Sequence, residues 1–220
     1  MYEDKHILWD LDGTIVKSEN KEFKRAMFRY ASEKIGLNFT LPHEDYLGKE
    51  AQSVFTKILH INGIQDISEY QVQYNYWYEQ AVSYILNNID YVRERDNVVE
   101  IWKDLSDLGI RNSVVTSSRE DIAIAYLKKI GLLGLCQSLV CVNHVSKPKP
   151  SPEPYLQCMK NLQTHSGNCI GVEDSVTGIS SAVKAGLKTL AWVENPEYFR
   201  NTDALLVTTE INPELILNLF

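Results

Sequence analysis

The sequence predicts an α/β fold in which a doubly wound parallel sheet carries an inserted helical domain. Short apolar runs alternate with helix-like segments over most of the chain, and polar residues directly follow several of these runs. An aromatic-rich stretch near the N-terminus interrupts the alternation. Strands that are almost wholly apolar and are separated by helices are typical of parallel sheets covered on both faces. We therefore expect a Rossmann-like core with a separate α-helical insertion.

The strands and helices of the predicted core follow one another in a regular order. The apolar run His6–Trp9 predicts a first strand, which ends at the glycine-containing turn Asp10–Thr14. Gly109 and Gly131 mark the ends of two later helices, since glycine commonly follows a helix C-terminus. Further strands are predicted at 112–116, 138–142, 168–172 and 188–193, and helices at 98–108, 119–130, 154–162 and 177–185.

Residues 17–91 differ in character from the rest of the chain. Segments such as Phe23–Tyr30 and Tyr70–Tyr78 are rich in aromatic residues with helical spacing, and few runs there resemble strands. We expect Tyr70–Tyr78 to pack helices together rather than to form a ligand platform. The sequence therefore predicts a core domain formed by residues 1–16 and 92–220 and a helical domain at 17–91.

Composition excludes several classes of function. Hydrophobic residues make up 44% of the chain and charged residues 23%, as is usual for globular proteins. The net charge is -7 and the basic residues are scattered, so we expect no nucleic-acid partner. No apolar run approaches the ~20 residues of a membrane helix, and the polar N-terminus does not resemble a signal peptide. These features predict a cytoplasmic protein without a membrane partner. They leave the oligomeric state open, and we expect a monomer or a weak homodimer.

Polar residues that suit phosphate chemistry follow four of the predicted strands. They are Asp10 with Asp12, Thr116 with Ser117 and Ser118, Lys149, and Glu173 with Asp174. Because the carboxyl ends of parallel strands share one edge of the sheet, we expect these side chains to meet in one crevice. Carboxylates crowded there require protonation or a bound cation, and oxygen ligands without histidine or cysteine select a hard cation such as Mg²⁺. We therefore predict Mg²⁺ as the cofactor.

Thr116, Ser117 and Lys149 are the candidates for binding a phosphate group. A fixed ammonium charge, a hydroxyl and nearby backbone amides can hold phosphate oxygens without a glycine-rich loop. Lys147 precedes a proline in the same pattern and is an alternative to Lys149. Ser118 is expected to cap the helix that follows it. The sequence thus predicts a small-molecule phosphate ester as the substrate.

The spacing of Asp10 and Asp12 allows the two carboxylates different roles. Alternate residues that leave a strand reach the same side, so one can attack phosphorus while the other transfers protons. A nucleophile must be ionised, which a nearby cation and Lys149 favour. Asp10 therefore suits the role of nucleophile and Asp12 that of acid-base residue.

Four motifs, in their order along the chain, resemble those of the haloacid dehalogenase (HAD) superfamily. They are Trp9–Ile15, Val114–Ser118, Lys149–Tyr155 and Gly171–Gly186. The chain is similar over essentially its whole length to the helical-cap phosphatases and the beta-phosphoglucomutase-like subgroup. The resemblance implies that Asp10 becomes an aspartyl phosphate and that Asp12 protonates the leaving alcohol and then activates water. It also implies Mg²⁺ ligands at Asp10, the Asp12 carbonyl and Asp174, with Glu173 in support.

The resemblance leaves the substrate and the reaction partly open. It implies a Mg²⁺-dependent hydrolase for a sugar phosphate or a phosphoglycolate-like acid, with a cap at residues 17–91 that sets specificity. A sugar-phosphate mutase is one alternative, but the family's mutases have a histidine where this chain has Glu22. A phospho-accepting signalling module is another, which the inserted cap and Asp12 disfavour. Lys17 and the segment Arg93–Val99 depart from the family pattern, and we expect neither to contact the chemistry.

Overall fold

The computed structural model of the chain describes residues 2, 4–17, 21–46, 49, 51–64 and 70–220. The chain divides into two compact units. One is formed by Met1–Lys17 with Arg93–Phe220, and the other by Ser18–Val92. The described part of the second unit is helical, whereas the first unit contains the sheet and is called the core unit below.

The helical unit is held together by aromatic side chains. Its helices are α1 (Lys21–Lys34), α2 (Ala51–Ile61) and α3 (Tyr70–Asn87). Trp77 on α3 is fully buried, stacks on Phe28 with 5.4 Å between ring centroids, and lies 5.1 Å from the Phe55 ring. Its indole N–H donates to the Ser32 hydroxyl at 3.1 Å, so this buried polar group is satisfied. The Tyr70–Tyr78 segment therefore packs helices together, as its sequence predicts.

The core unit is built on six parallel strands. They are β1 (His6–Trp9), β2 (Arg111–Val115), β3 (Cys136–Val140), β4 (Cys169–Glu173), β5 (Lys188–Trp192) and β6 (Leu206–Thr208). Their order across the sheet is β3-β2-β1-β4-β5-β6, so β1 lies between β2 and β4. The carboxyl ends of β1 and β4 flank the point where the strand order reverses, which is where doubly wound sheets bind ligands. The predicted α/β fold is confirmed.

The helices of the core unit lie between these strands along the chain, except for the last helix, which follows β6. They are α4 (Val98–Asp107), α5 (Glu120–Lys129), α6 (Glu153–Asn161), α7 (Val176–Lys184) and α8 (Pro213–Leu217). The predicted elements from α4 to β5 are all present, and their ends differ from the prediction by at most about two residues. The strand β6 and the α-helix α8 were not predicted. The three residues of β6 are only half-buried, so they form neither a continuous apolar run nor a long alternation.

In the part of the chain that the structure describes, no helix is both long enough and apolar enough to cross a membrane.

Candidate active site

The polar segments that the sequence predicts to meet lie at one edge of the core sheet. Asp10 directly follows β1, Thr116 directly follows β2, and Glu173 ends β4 with Asp174 after it. The Asp10 N–H still pairs with β4, since it donates to the Val172 carbonyl at 2.9 Å. Buried apolar strands therefore set these positions and bring together acids that are far apart in the sequence.

Lys149 links two of these acids. Its ammonium group donates to Asp10 Oδ1 at 2.7 Å, to Glu173 Oε1 at 2.6 Å and to the Val115 carbonyl at 2.8 Å. The Lys149 side chain is only 4% exposed, so these ion pairs are shielded from solvent. Burial alone lowers the pKa of Lys149, but the two carboxylates outweigh burial and raise this pKa above its usual range. The alternative lysine, Lys147, is exposed.

Glu173 is the buried partner that holds Lys149 in place. Its side chain is fully buried, and Oε1 also accepts a hydrogen bond from the Tyr155 hydroxyl at 2.5 Å. Burial raises the pKa of Glu173 above its usual range, although the charge of Lys149 partly offsets this rise. Two donors on one oxygen orient the carboxylate. Tyr155 was not predicted as a site residue, although it lies within the motif that begins at Lys149.

Three carboxylates form a group that fits a hard cation. One oxygen from each of Asp10, Glu173 and Asp174 lies within 4.8 Å of the others. Burial, together with the charges of Asp10 and Glu173, raises the pKa of Asp174 above its usual range, so the crowded acids favour a proton or a cation. Oxygen donors alone suit Mg²⁺. Among the described residues, the Asp12 carboxylate does not join this group.

The turn after β1 packs directly against Asp174. Gly13 has a φ of +92°, and a Cβ atom there would lie 1.9 Å from Asp174 Oδ2. The Gly13 carbonyl accepts a hydrogen bond from Arg95 Nη1 at 2.8 Å, and the same nitrogen donates to the Trp192 carbonyl at 2.7 Å. The Arg95 guanidinium carbon lies 3.7 Å from the centre of the Trp192 ring. Glycine is required here, because a side chain would displace the acid.

The segment Arg93–Val99, which we expect not to contact the chemistry, does contact the turn that follows β1. That it does not touch the reacting groups themselves stays a prediction. Arg95 in this segment joins the Asp10–Thr14 turn to the end of β5. Its positive charge also opposes the rise in the pKa of Asp174. The hydrogen bond from Arg95 to the turn spans 82 positions in the sequence, and no local pattern pairs residues over such a distance. Only the folded chain reveals this contact.

The Asp12 carboxylate is held by a serine. Ser118 Oγ donates to Asp12 Oδ2 at 2.6 Å, and the Ser118 N–H donates to Thr116 Oγ1 at 2.9 Å. The predicted role of Ser118 as a helix cap is wrong, because Arg119 is the capping residue of α5 and Glu120 is its first residue. The second acid of the Asp10–Thr14 turn therefore has a partner that the sequence pattern did not indicate.

The two predicted phosphate-binding hydroxyls differ in exposure. Thr116 is buried, and its N–H extends the sheet by donating to the Val140 carbonyl at 2.9 Å. Ser117 is exposed at the same edge. Binding of a phosphate group by either residue stays a prediction.

Gly178 packs against Glu173 as closely as Gly13 packs against Asp174. It lies on α7, and a Cβ atom there would lie 1.9 Å from Glu173 Oε2. In an exposed helix, replacing glycine with alanine stabilises a protein by about 1 kcal/mol. Gly178→Ala is expected to do the opposite and to lower the free energy of unfolding by about 1–3 kcal/mol, because a buried carboxylate must move away from Lys149.

Chemical denaturation of two variants tests this prediction. Gly134→Ala is the matched control, because a Cβ atom there meets nothing within 4 Å. Its free energy of unfolding is expected to stay within about 0.5 kcal/mol of that of the unmodified protein. Equal free energies for the two variants would show that the contact with Gly178 does not fix Glu173.

Comparison with known proteins identifies the family of the chain. A family model described as haloacid dehalogenase-like hydrolase matches residues 7–192. The chain belongs to this family. The matched range contains every candidate site residue from Asp10 to Asp174. The predictions of a haloacid dehalogenase-like hydrolase and of an enzyme are thereby confirmed.

Two curated relatives and one solved structure show how far the likeness extends. A validoxylamine A 7'-phosphate phosphatase of Streptomyces hygroscopicus subsp. limoneus is 26% identical over 204 residues, which cover 92% of each protein. A pyrophosphatase PpaX of Bacillus pumilus is 27% identical over 198 residues, covering 84% of this chain and 82% of the relative. A beta-phosphoglucomutase of Clostridium difficile has a TM-score of 0.77 at 22% identity, covering 98% of this chain and 96% of the other. That structural likeness shows the fold alone.

Proposed function

We propose that this chain is a Mg²⁺-dependent phosphomonoester hydrolase that acts on a small phosphorylated metabolite through an aspartyl phosphate at Asp10. The observation that carries the proposal is the position of Asp10, which lies 2.7 Å from a buried lysine amine and belongs to the three-acid group. The name of the validoxylamine A 7'-phosphate phosphatase supports hydrolysis of a phosphomonoester, and that of the pyrophosphatase supports hydrolysis at phosphorus more generally. A sugar phosphate or a phosphoglycolate-like acid is the expected type of substrate.

In the first step of the proposed reaction, Asp10 attacks phosphorus. A bond forms between an Asp10 carboxylate oxygen and phosphorus, while the bond from phosphorus to the leaving oxygen breaks with its electron pair. Lys149, which Glu173 holds in place, balances the negative charge of the phosphoryl oxygens. Thr116 and Ser117 are the proposed hydroxyl contacts of the same group. Asp12 supplies the proton that the leaving alcohol requires.

In the second step, water hydrolyses the aspartyl phosphate. Asp12, now without its proton, takes a proton from the water that attacks phosphorus, and the Asp10 carboxylate is regenerated as the phosphate leaves. Asp10, the Asp12 carbonyl and Asp174 would hold Mg²⁺, and Glu173 supports the group through Lys149. When bound, Mg²⁺ would neutralise part of the charge that the acids share with the phosphate.

Release of inorganic phosphate from a panel of phosphorylated metabolites tests this function. We expect turnover of at least one alkyl phosphomonoester with Mg²⁺ present, loss of turnover after chelation, and recovery when Mg²⁺ is added back. Turnover that survives thorough chelation would contradict the metal requirement. Conversion of a sugar phosphate into its isomer without phosphate release would instead indicate the phosphomutase alternative, which Glu22 disfavours.

A further inference from the structure

Ser118 is fixed on two sides where it meets Asp12. Its hydroxyl donates to Asp12 Oδ2 at 2.6 Å, and its backbone N–H donates to the Thr116 hydroxyl at 2.9 Å. Asp12 lies in the segment that follows β1, and Ser118 lies in the segment that follows β2. These two strands are neighbours in the sheet. The position of Ser118 relative to Asp12 is therefore set by strand pairing and by a backbone hydrogen bond.

We propose that Ser118 is a positioning residue for proton transfer by Asp12. This inference rests on the proposed function, in which a proton passes from Asp12 to the leaving oxygen as the bond to phosphorus breaks. A hydrogen bond of this length to a carboxylate is among the stronger ones in proteins. It limits rotation of a short side chain on a turn, and correct orientation is a large part of the efficiency of proton transfer.

The chemistry of the hydroxyl group suits this role. A serine hydroxyl donates one hydrogen bond and also accepts, so it can keep its contact with Asp12 before and after the proton has moved. The contact is not explained by helix capping, because the capping residue of α5 is Arg119. Ser118 itself is half-buried, whereas its neighbour Ser117 is exposed. The two adjacent serines therefore differ in burial, and Ser118 is the one that donates to Asp12.

The leaving group of the substrate provides the test. An alkyl alcohol needs a proton to leave, whereas p-nitrophenolate is stable enough to leave without one. We expect Ser118→Ala to lower kcat/KM for the best alkyl phosphomonoester of the metabolite panel by about 10- to 100-fold, since acid-base catalysis contributes at most about 10⁴-fold. For p-nitrophenyl phosphate the same variant is expected to lose less than about threefold, because the acid contributes little to that reaction.

Two further variants separate positioning from a loss of structure. Ser118→Thr retains a hydroxyl and is expected to recover most of the alkyl phosphatase activity. Ser117→Ala is the matched comparison, since a residue that contacts the phosphoryl group affects both substrates equally. In an Asp12→Asn background, Ser118→Ala is expected to cause no further loss in single-turnover release of the alkyl alcohol, because Ser118 acts through Asp12.

The possible results distinguish this inference from the function on which it rests. Absence of phosphate release by the unmodified protein overturns the proposed function and this inference with it. Normal turnover by the unmodified protein, combined with equal losses on both substrates in Ser118→Ala, overturns the inference alone. A further loss of alkyl alcohol release when Ser118→Ala is added to Asp12→Asn also overturns the inference alone.

Discussion

Asp10→Asn is expected to abolish phosphate release, with a decrease in kcat of at least about 10⁴-fold, the scale seen when a nucleophile is removed from an enzyme. The amide of asparagine is nearly the same shape as the carboxylate but does not form a bond to phosphorus in this way. It also removes a negative charge from the ion pair with Lys149, which lies 2.7 Å away. The kcat of each protein is measured from phosphate release with the best substrate in the presence of Mg²⁺.

A direct assay for the covalent intermediate accompanies this measurement. After brief incubation with a phosphate-labelled substrate and acid quenching, label is expected on the unmodified protein and not on Asp10→Asn. Asp107→Asn, an exposed aspartate at the end of α4, is the control and should keep full activity. A labelled Asp10→Asn protein, or one that retains more than about 1% of kcat, would exclude Asp10 as the nucleophile.

Gly13→Ala is expected to lower kcat by at least about 10³-fold, because the new Cβ atom would displace Asp174, a proposed Mg²⁺ ligand. That atom would lie 1.9 Å from Asp174 Oδ2, so the acid must move away from Asp10. The left-handed backbone of Gly13 adds a second cost, about 1–2 kcal/mol for any residue with a side chain. Isothermal titration calorimetry with MgCl₂ should show weaker metal binding, since displacement of Asp174 removes a proposed ligand.

Gly131→Ala separates the effect of the left-handed backbone from the effect of the contact with Asp174. Gly131 also has a left-handed backbone, with φ of +78°, but a Cβ atom there meets nothing within 4 Å. Both variants are expected to lose about 1 kcal/mol or more of unfolding free energy from the backbone conformation, whereas only Gly13→Ala should lose activity and metal binding. Similar kinetics for the two variants would mean that the position of Asp174 does not limit the reaction.

The candidate site was predicted most accurately where its residues follow buried strands. Asp10, Thr116, Glu173 and Asp174 each come at the end of a strand whose apolar pattern is visible in the sequence. Since parallel strands place their carboxyl ends together, the convergence of these residues follows from the fold class. Short elements with a weak apolar pattern, such as β6, gave no comparable signal.

Residues that donate hydrogen bonds to the candidate site from neighbouring segments were predicted poorly. Tyr155 donates to Glu173, Ser118 donates to Asp12, and Arg95 donates to the Gly13 carbonyl. The sequence pattern gave each of them a local interpretation. Tyr155 was part of a motif, Ser118 was a helix cap, and Arg95 lay in a segment that departs from the family pattern. Their contacts depend on side-chain directions across neighbouring segments, and sequence spacing does not contain that information.

The sequence by itself determined the α/β fold, the alternation of strands and helices after residue 92, and the acids that end the strands, because apolar periodicity and residue order are local properties of the chain. Only the tertiary structure decided that Lys149 and not Lys147 reaches Asp10, that Ser118 holds Asp12, and that Arg95 supports the turn. These contacts join groups from distant segments, and a hydrogen bond depends on distances and angles that exist only after the chain has packed.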